Sequence, residues 1–177
     1  IAVFILELVC CCVRAATYHV DVLNGDDAAA GTNWATAKFS IQAGVGLAGD
    51  GDTVLVSDGV YALTSGVVMT KGILLRSTNG AQNAIIDGRY PFATNQCLNA
   101  THSNAVVDGF TITGGFGLEG GGVFLHGGAT LQNCVIESNR AVIAGAGIYS
   151  SVDGIIRSCS ILSNTAVGTA DGGGVYT

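Results

Sequence analysis

Asp87, Thr113 and Glu137 are the residues whose types and spacing point most directly to chemistry. If Ile86, Ile112 and Ile136 are equivalent inward positions of successive repeats, then Asp87, Thr113 and Glu137 face outward in one line, with Leu162 next. Carboxylates two repeats apart on such a line stand about 9 to 10 Å from one another. That is the upper edge of the separation at which an inverting glycosidase seats a water between a general acid and a general base. Asp87-Gly88 and Asp108-Gly109 are also ordinary turn dipeptides, so a solvated surface is the competing explanation for these acids.

Other chemistry-bearing residues form less defined sets. Asp21, Asn24, Asp26 and Asp27 are rich in oxygen ligands, yet they lack the spacing of a helix-loop-helix calcium site and also suit a hydrogen-bonded loop. Gly49-Asp50-Gly51-Asp52 resembles one unit of a calcium-binding nonapeptide array, a mechanism that needs a stacked series. His19, His102 and His126 fall at unrelated repeat positions, so no metal triad and no Ser/His/Asp arrangement is expected. The glycine runs are not followed by a helix carrying Lys-Ser or Lys-Thr, so they make no phosphate loop. No cofactor and no metal site is therefore expected, with calcium as the alternative that no specific motif supports.

The elements that must hold these side chains are legible in an internal repeat. Gly121-Gly122-Val123-Phe124 recurs as Ala146-Gly147-Ile148-Tyr149 and Gly173-Gly174-Val175-Tyr176, and Asn133-Cys134-Val135-Ile136 recurs as Ser158-Cys159-Ser160-Ile161, at offsets of 25 or 27 residues. Short apolar stretches separated by Gly, Asn, Asp and Ser run from Val54-Leu55-Val56 to Val175-Tyr176, three to a repeat. Short strands at a constant shift pair in parallel with their equivalents in the next repeat. The expected fold is all-β, a right-handed parallel β-helix solenoid of about five rungs. Period-two alternation turns Phe110 and Ile112, Cys134 and Ile136, and Cys159 and Ile161 inward. Asn139 and Asn164 fall at one turn position, where stacked amides hydrogen-bond along the axis in a structural role. Phe39 to Ala48 has the apolar spacing of a short amphipathic helix, weakened by Gly44 and Gly46 and placed to cap the N-terminal end of the core.

Composition agrees with a folded solenoid: 49% of residues are hydrophobic, 11% are charged, and 27 glycines accompany one proline. A formal charge of −6 provides no basic footprint for nucleic acid. Ile1 to Val13 is apolar apart from Glu7 and is followed by Arg14-Ala15-Ala16, which reads as a secretory signal peptide over 1–16; a transmembrane anchor is the rival reading, against which stand the shortness of the run and Glu7 within it. The N-terminal cap segment is then 17–52 and the β-helix 53–177, with no membrane span after the leader is removed. Secretion or display at the cell surface follows. Past the leader, Cys97, Cys134 and Cys159 are an odd number, which argues against a disulfide framework. Cys134 and Cys159 share a repeat position, so a buried, unreactive thiol ladder is expected, with a disulfide or metal role as the alternative. Thr177 ends the chain inside a strand, and the open rung is expected to pair with another chain.

Tyr18-His19-Val20-Asp21-Val22, Asn24-Gly25-Asp26-Asp27, Gly31-Thr32-Asn33-Trp34, Ser40-Ile41-Gln42-Ala43 and Gly51-Asp52-Thr53-Val54 resemble the N-terminal cap and first rung of secreted proteins of the pectate-lyase-like superfamily. Asp108-Gly109-Phe110-Thr111-Ile112-Thr113-Gly114-Gly115 and the glycine-rich Val-Tyr turns are similar to the repeats of these proteins and of polymorphic outer-membrane proteins. The resemblance covers about residues 18 to 177 and implies the fold; the same scaffold serves lyases, hydrolases, adhesins and surface proteins. It also implies that Asp87 and Arg89 could mimic an acid-bound calcium and its basic neighbour, although no lyase active-site motif carries over residue by residue. The expected function is a non-catalytic carbohydrate-binding or surface/adhesive module, with extracellular polysaccharide as partner and Asp87, Thr113 and Glu137 as the binding residues. The alternative is the N-terminal part of a polysaccharide lyase or glycoside hydrolase.

Overall fold

The computed structural model describes residues 14–151, 153–167 and 172–177. Residues 1–13 of the expected leader, with Cys10, Cys11 and Cys12, lie outside the described residues. Strand β1 (Thr17–Val20) comes first, followed by a single 3-10 turn (Trp34–Thr36) and helix α1 (Ile41–Leu47). The chain then winds through about five turns. The first holds β2 (Thr53–Val56), β3 (Gly59–Ala62) and β4 (Val67–Met69); the second holds β5 (Leu74–Ser77), β6 (Ala84–Asp87) and β7 (Leu98–Ala100). The third holds β8 (Val106–Asp108), β9 (Thr111–Thr113), β10 (Phe116–Glu119) and β11 (Val123–His126). The fourth holds β12 (Thr130–Gln132), β13 (Val135–Glu137), β14 (Arg140–Ala144) and β15 (Ile148–Ser151). The fifth holds β16 (Ile155–Arg157), β17 (Ser160–Leu162), β18 (Thr165–Ala166) and β19 (Val175–Tyr176).

All pairings are parallel and join a strand to its counterpart in the neighbouring turn. Three long sheets result: β1-β2-β5-β8-β12-β16, β3-β6-β9-β13-β17 and β4-β7-β11-β15-β19. Strand β1 adds to the first sheet although it precedes the helix. A fourth, short sheet, β10-β14-β18, was not expected. Its members are a Gly-containing FGLE segment, the five-residue RAVIA segment and a strand of two residues, the last too short to show a period of two.

Alternation drives the packing as the repeats require. Tyr61, Ile86, Ile112 and Ile136 are consecutive inward neighbours on the second sheet and all are buried, while Val54, Leu75, Val107 and Leu131 do the same on the first. Several apolar stretches, such as Phe110-Thr111-Ile112 and Cys134-Val135-Ile136, begin one residue before their strands, because the corner residue also points inward. Phe110 and Cys134 are such corner residues, 0% and 1% exposed. The bend before them needs a left-handed backbone, supplied by Gly109 (φ 82°), Asn133 (φ 54°) and Ser158 (φ 50°) in successive turns. Glycine bears this without cost; Asn tolerates it better than most other residues.

Helix α1 is shorter than the expected Phe39–Ala48 stretch because Ser40 caps it, its hydroxyl accepting the Ala43 N–H at 3.2 Å. Ile41 and Val45 enter the same core as the strands. Gly44 is needed there for proximity: a Cβ would stand 2.6 Å from Val20 Cγ2 and 3.0 Å from Val54 Cγ1. The thiol ladder is only half as expected. Cys134 is buried, but Cys159 is half-buried. No helix among the described residues is long and apolar enough to cross a membrane.

Candidate functional site

The register places Asp87 beside Thr113, Thr113 beside Glu137 and Glu137 beside Leu162, so the expected outward line exists on the second sheet. Its chemistry is thin. Asp87 Oδ1 accepts the Arg89 backbone N–H at 2.8 Å, which fixes the carboxylate as the acceptor of its own turn, while Arg89 sits at φ 67°. The one salt bridge among the described residues is Arg76–Asp108, 3.5 Å, on the first sheet. Flanking the acid line on the same face runs Val60, Ile85, Thr111, Val135 and Ser160, with no cation among them. Among the described residues the register sets Thr113 between the two carboxylates and brings no other titratable side chain into line with them.

The oxygen-rich N-terminal loop is hydrogen-bonded to the backbone. Asp21 accepts the Leu23 N–H at 2.9 Å, Asp26 the Ala28 N–H at 2.9 Å, and Asp27 the Phe39 and Ser40 N–H groups at 2.9 and 2.8 Å together with the Ser40 hydroxyl at 2.7 Å. Asp52 takes the Ala16 N–H at 2.7 Å and the Gly49 N–H at 2.8 Å, which holds its carboxyl below the usual aspartate value. His19 packs edge-on against Trp34, His102 accepts the Asn104 N–H, and His126 meets Ser151. Among the described residues no three His, Cys, Asp or Glu side chains converge to hold a metal ion.

A further concave surface lies elsewhere, on the outer face of the third sheet. Paired residues Thr53, Leu74, Val106, Thr130 and Ile155 mark successive turns, and the second turn is the longest because the loop 88–97 is inserted before β7. That loop is tied to the next turn by Tyr90 N–H to Gly114 O (2.8 Å), Phe116 N–H to Asn95 O (2.9 Å) and Cys97 N–H to Gly121 O (3.2 Å). Tyr90 stacks on Phe116 with centroids 5.0 Å apart, and the Arg140 guanidinium carbon lies 5.3 Å from the Tyr90 ring centre. Cys97 anchors the loop from inside; burial pushes its thiol up to about 12, so it is inert.

Between this loop and the sheet run two adjoining depressions of 490 and 400 Å³ that share Thr94, Gln96 and Asn99. Gln42, Ser65, Val68 and Asn95 complete the first, and Phe116, Leu118, Glu119 and Phe124 the second. The amides divide their work. Gln42 Oε1 accepts the Val68 N–H at 2.8 Å, leaving its Nε2 to donate. Gln96 Nε2 donates to Glu119 O at 2.7 Å and Gly120 O at 2.9 Å, leaving Oε1 to accept. Asn95 Nδ2 donates to Leu63 O at 3.1 Å, leaving Oδ1. Asn99 sits in the floor between Val68 and Phe124, and its Oδ1 has no hydrogen-bond partner among the described residues. Apart from Glu119 the lining carries no charge.

An aromatic column continues from the groove: Phe124 and Tyr149 are 5.2 Å apart at 12°, and Tyr149 and Tyr176 are 5.3 Å apart at 13°, so the facing sides of these rings cover one another. None of the groove amides repeats from turn to turn, and a search for repeat-related chemistry therefore passes over them. The available signal was the over-long gap between Ile86 and Leu98, which an insertion must fill. Comparison with known protein families, curated proteins and solved structures returns no match.

Proposed function

We propose that this chain is a secreted or cell-surface β-helix module that binds a neutral polysaccharide along the third-sheet groove without cleaving it. The observation that carries this reading is the division of labour in Gln42, Asn95 and Gln96. One end of each amide is fixed to backbone, and the other is left as a pre-oriented donor or acceptor. Sugar hydroxyls both donate and accept, so a mixed, uncharged lining matches them. An acidic polysaccharide would meet Glu119 and a net charge of −6 with no cation in the lining. Right-handed winding and a capping role for α1 belong to the same reading; burial of Ile41 and Val45 in the first-turn core supports the cap. The line of Asp87, Thr113 and Glu137 favours a second reading, a hydrolase or lyase acting on the second sheet.

Affinity electrophoresis through gels cast with neutral glucan, xylan or mannan, and in parallel with polygalacturonate or alginate, separates the two readings. Retardation by one of the neutral polymers is expected, and Gln96→Ala, which removes one of these three amides, should weaken it about tenfold, the equivalent of one or two hydrogen bonds. Tighter binding to the uronates, or release of reducing ends or unsaturated products that Glu137→Ala abolishes, would overturn the non-catalytic reading.

A further inference from the structure

We propose that an apolar pocket at the N-terminal end of the groove takes an aryl ester, a cinnamate-type side group carried by the polysaccharide. This rests on the reading of the groove as a polysaccharide site and adds a substituent for which the amide-lined part has no place.

The pocket lies where the first turn meets the N-terminal segment. Strand β3 ends at Ala62 and the chain bends through Leu63, Thr64 and Ser65 towards β4, so that Val60, Ala62 and Leu63 form one wall. Val22 and Asp27 of the N-terminal loop and Phe39 to Gln42 at the start of α1 form the other. The cavity measures 320 Å³ and shares Gln42 and Ser65 with the first groove depression, so the two are continuous. Ligand pockets start at about 300 Å³, which suits a single ring with its acyl arm better than a length of sugar chain.

The polar groups of the lining are already engaged. Asp27 accepts the Phe39 and Ser40 N–H groups and the Ser40 hydroxyl, and that hydroxyl accepts the Ala43 N–H. The Tyr61 hydroxyl is turned towards Val20 O and Ser57 O, at 3.3 and 3.0 Å. What remains is apolar surface from Val22, Phe39, Val60, Ala62 and Leu63, with Phe39 50% and Val60 52% exposed. Sugar hydroxyls placed against it would lose water without gaining a partner. A planar ring loses nothing there and gains contact with the Phe39 ring.

The junction selects an ester. Gln42 Oε1 is held by the Val68 N–H at 2.8 Å, so Nε2 donates where the groove opens into the pocket. A carbonyl that joins a polar chain to an apolar ring belongs at that donor. A free aryl acid does not, because Asp27 stands in the wall, no Lys or Arg among the described residues lines the cavity, and the chain carries a net charge of −6.

Saturation-transfer NMR with methyl cinnamate tests the pocket without any polymer. Binding of the ester is expected, with the cinnamate anion bound far more weakly. Phe39→Ala and Val60→Ser, on opposite walls, should each weaken the titrated ester affinity several-fold, and if one variant fails to fold the other decides. In affinity electrophoresis, esterifying the retained neutral polymer with cinnamic acid should strengthen retention about tenfold. Equal binding of ester and anion, ester binding that the folded variants do not weaken, or retention unchanged by esterification would overturn the proposal and leave the groove reading standing. If no neutral polymer is retained while methyl cinnamate binds and the variants weaken it, the aryl-ester pocket stands and the groove reading falls.

Discussion

Asn139 and Asn164, one turn apart at the same corner, are joined by a hydrogen bond from Asn139 Nδ2 to Asn164 Oδ1 at 3.0 Å, and Asn164 Oδ1 also takes the Asn139 backbone N–H at 3.0 Å. The ladder also reaches into the preceding turn. Asn139 Nδ2 donates to Ile112 O and Asn164 Nδ2 to Ile136 O, each at 2.9 Å, while Asn139 Oδ1 accepts the Gly115 N–H at 2.8 Å. Asn139 is fully buried. Replacing it with Ala leaves the Gly115 N–H and the Ile112 carbonyl without that partner inside the core. Asn139→Ala should therefore lose about 1 to 3 kcal/mol in urea unfolding. Asn164→Ala, at a half-buried position, should lose less.

Two glycines of one short helix should respond with opposite signs. A Cβ on Gly44 would press on Val20 Cγ2 at 2.6 Å, whereas a Cβ on Gly46 would meet nothing within 4 Å. Gly44→Ala is expected to destabilise by about 1 to 3 kcal/mol through overpacking. Gly46→Ala should stabilise by up to about 1 kcal/mol through helix propensity. Thermal melts of the two single variants against the unaltered protein check both signs.

Much of this architecture was legible because a solenoid repeats its core. The parallel stack, the inward line of Ile86, Ile112 and Ile136, the outward line of Asp87, Thr113 and Glu137 and the paired asparagines all follow from one alignment of the chain on itself. What the alignment missed is what does not repeat. Strands β10 and β14 flank glycine-rich turns, and the groove depends on an insertion found once, whose Asn95 and Gln96 acquire their roles only by reaching Leu63 O and Glu119 O in neighbouring turns. The exposure of Cys159 was missed for another reason: equivalence in sequence does not ensure equal cover.

Asp52 gives the N-terminal region a dependence on pH. Its carboxylate accepts the Gly49 and Ala16 N–H groups, so its folded pKa lies below the ordinary value. A depressed acid adds stability that is fully present above the unfolded pKa, about 3.9, and is lost as pH falls through the lower folded value. The stability gap between the unaltered protein and Asp52→Asn should be constant near neutrality and shrink below about pH 4. Urea midpoints measured across pH 3 to 7, an interval bracketing roughly that aspartate range, would count against this linkage if the gap stayed constant throughout.

Ile136 and Glu137 are adjacent in sequence and on opposite faces of β13, so together they test both the register and the proposed site. Ile136 is fully buried between Ile112 and Ile161, and Ile136→Ala should lose about 2 to 5 kcal/mol through lost transfer energy and the cavity left behind. Glu137 stands outward between Thr113 and Leu162, so Glu137→Ala should change stability by no more than about 0.5 kcal/mol. A strand displaced by one residue would exchange the two results, because it would turn every side chain to the other face. Glu137→Ala should also leave retention on a neutral polysaccharide unchanged, since the groove lies on the third sheet and Glu137 on the second. If the stabilities follow this order but Glu137→Ala abolishes binding, the fold stands and the ligand belongs on the acid line.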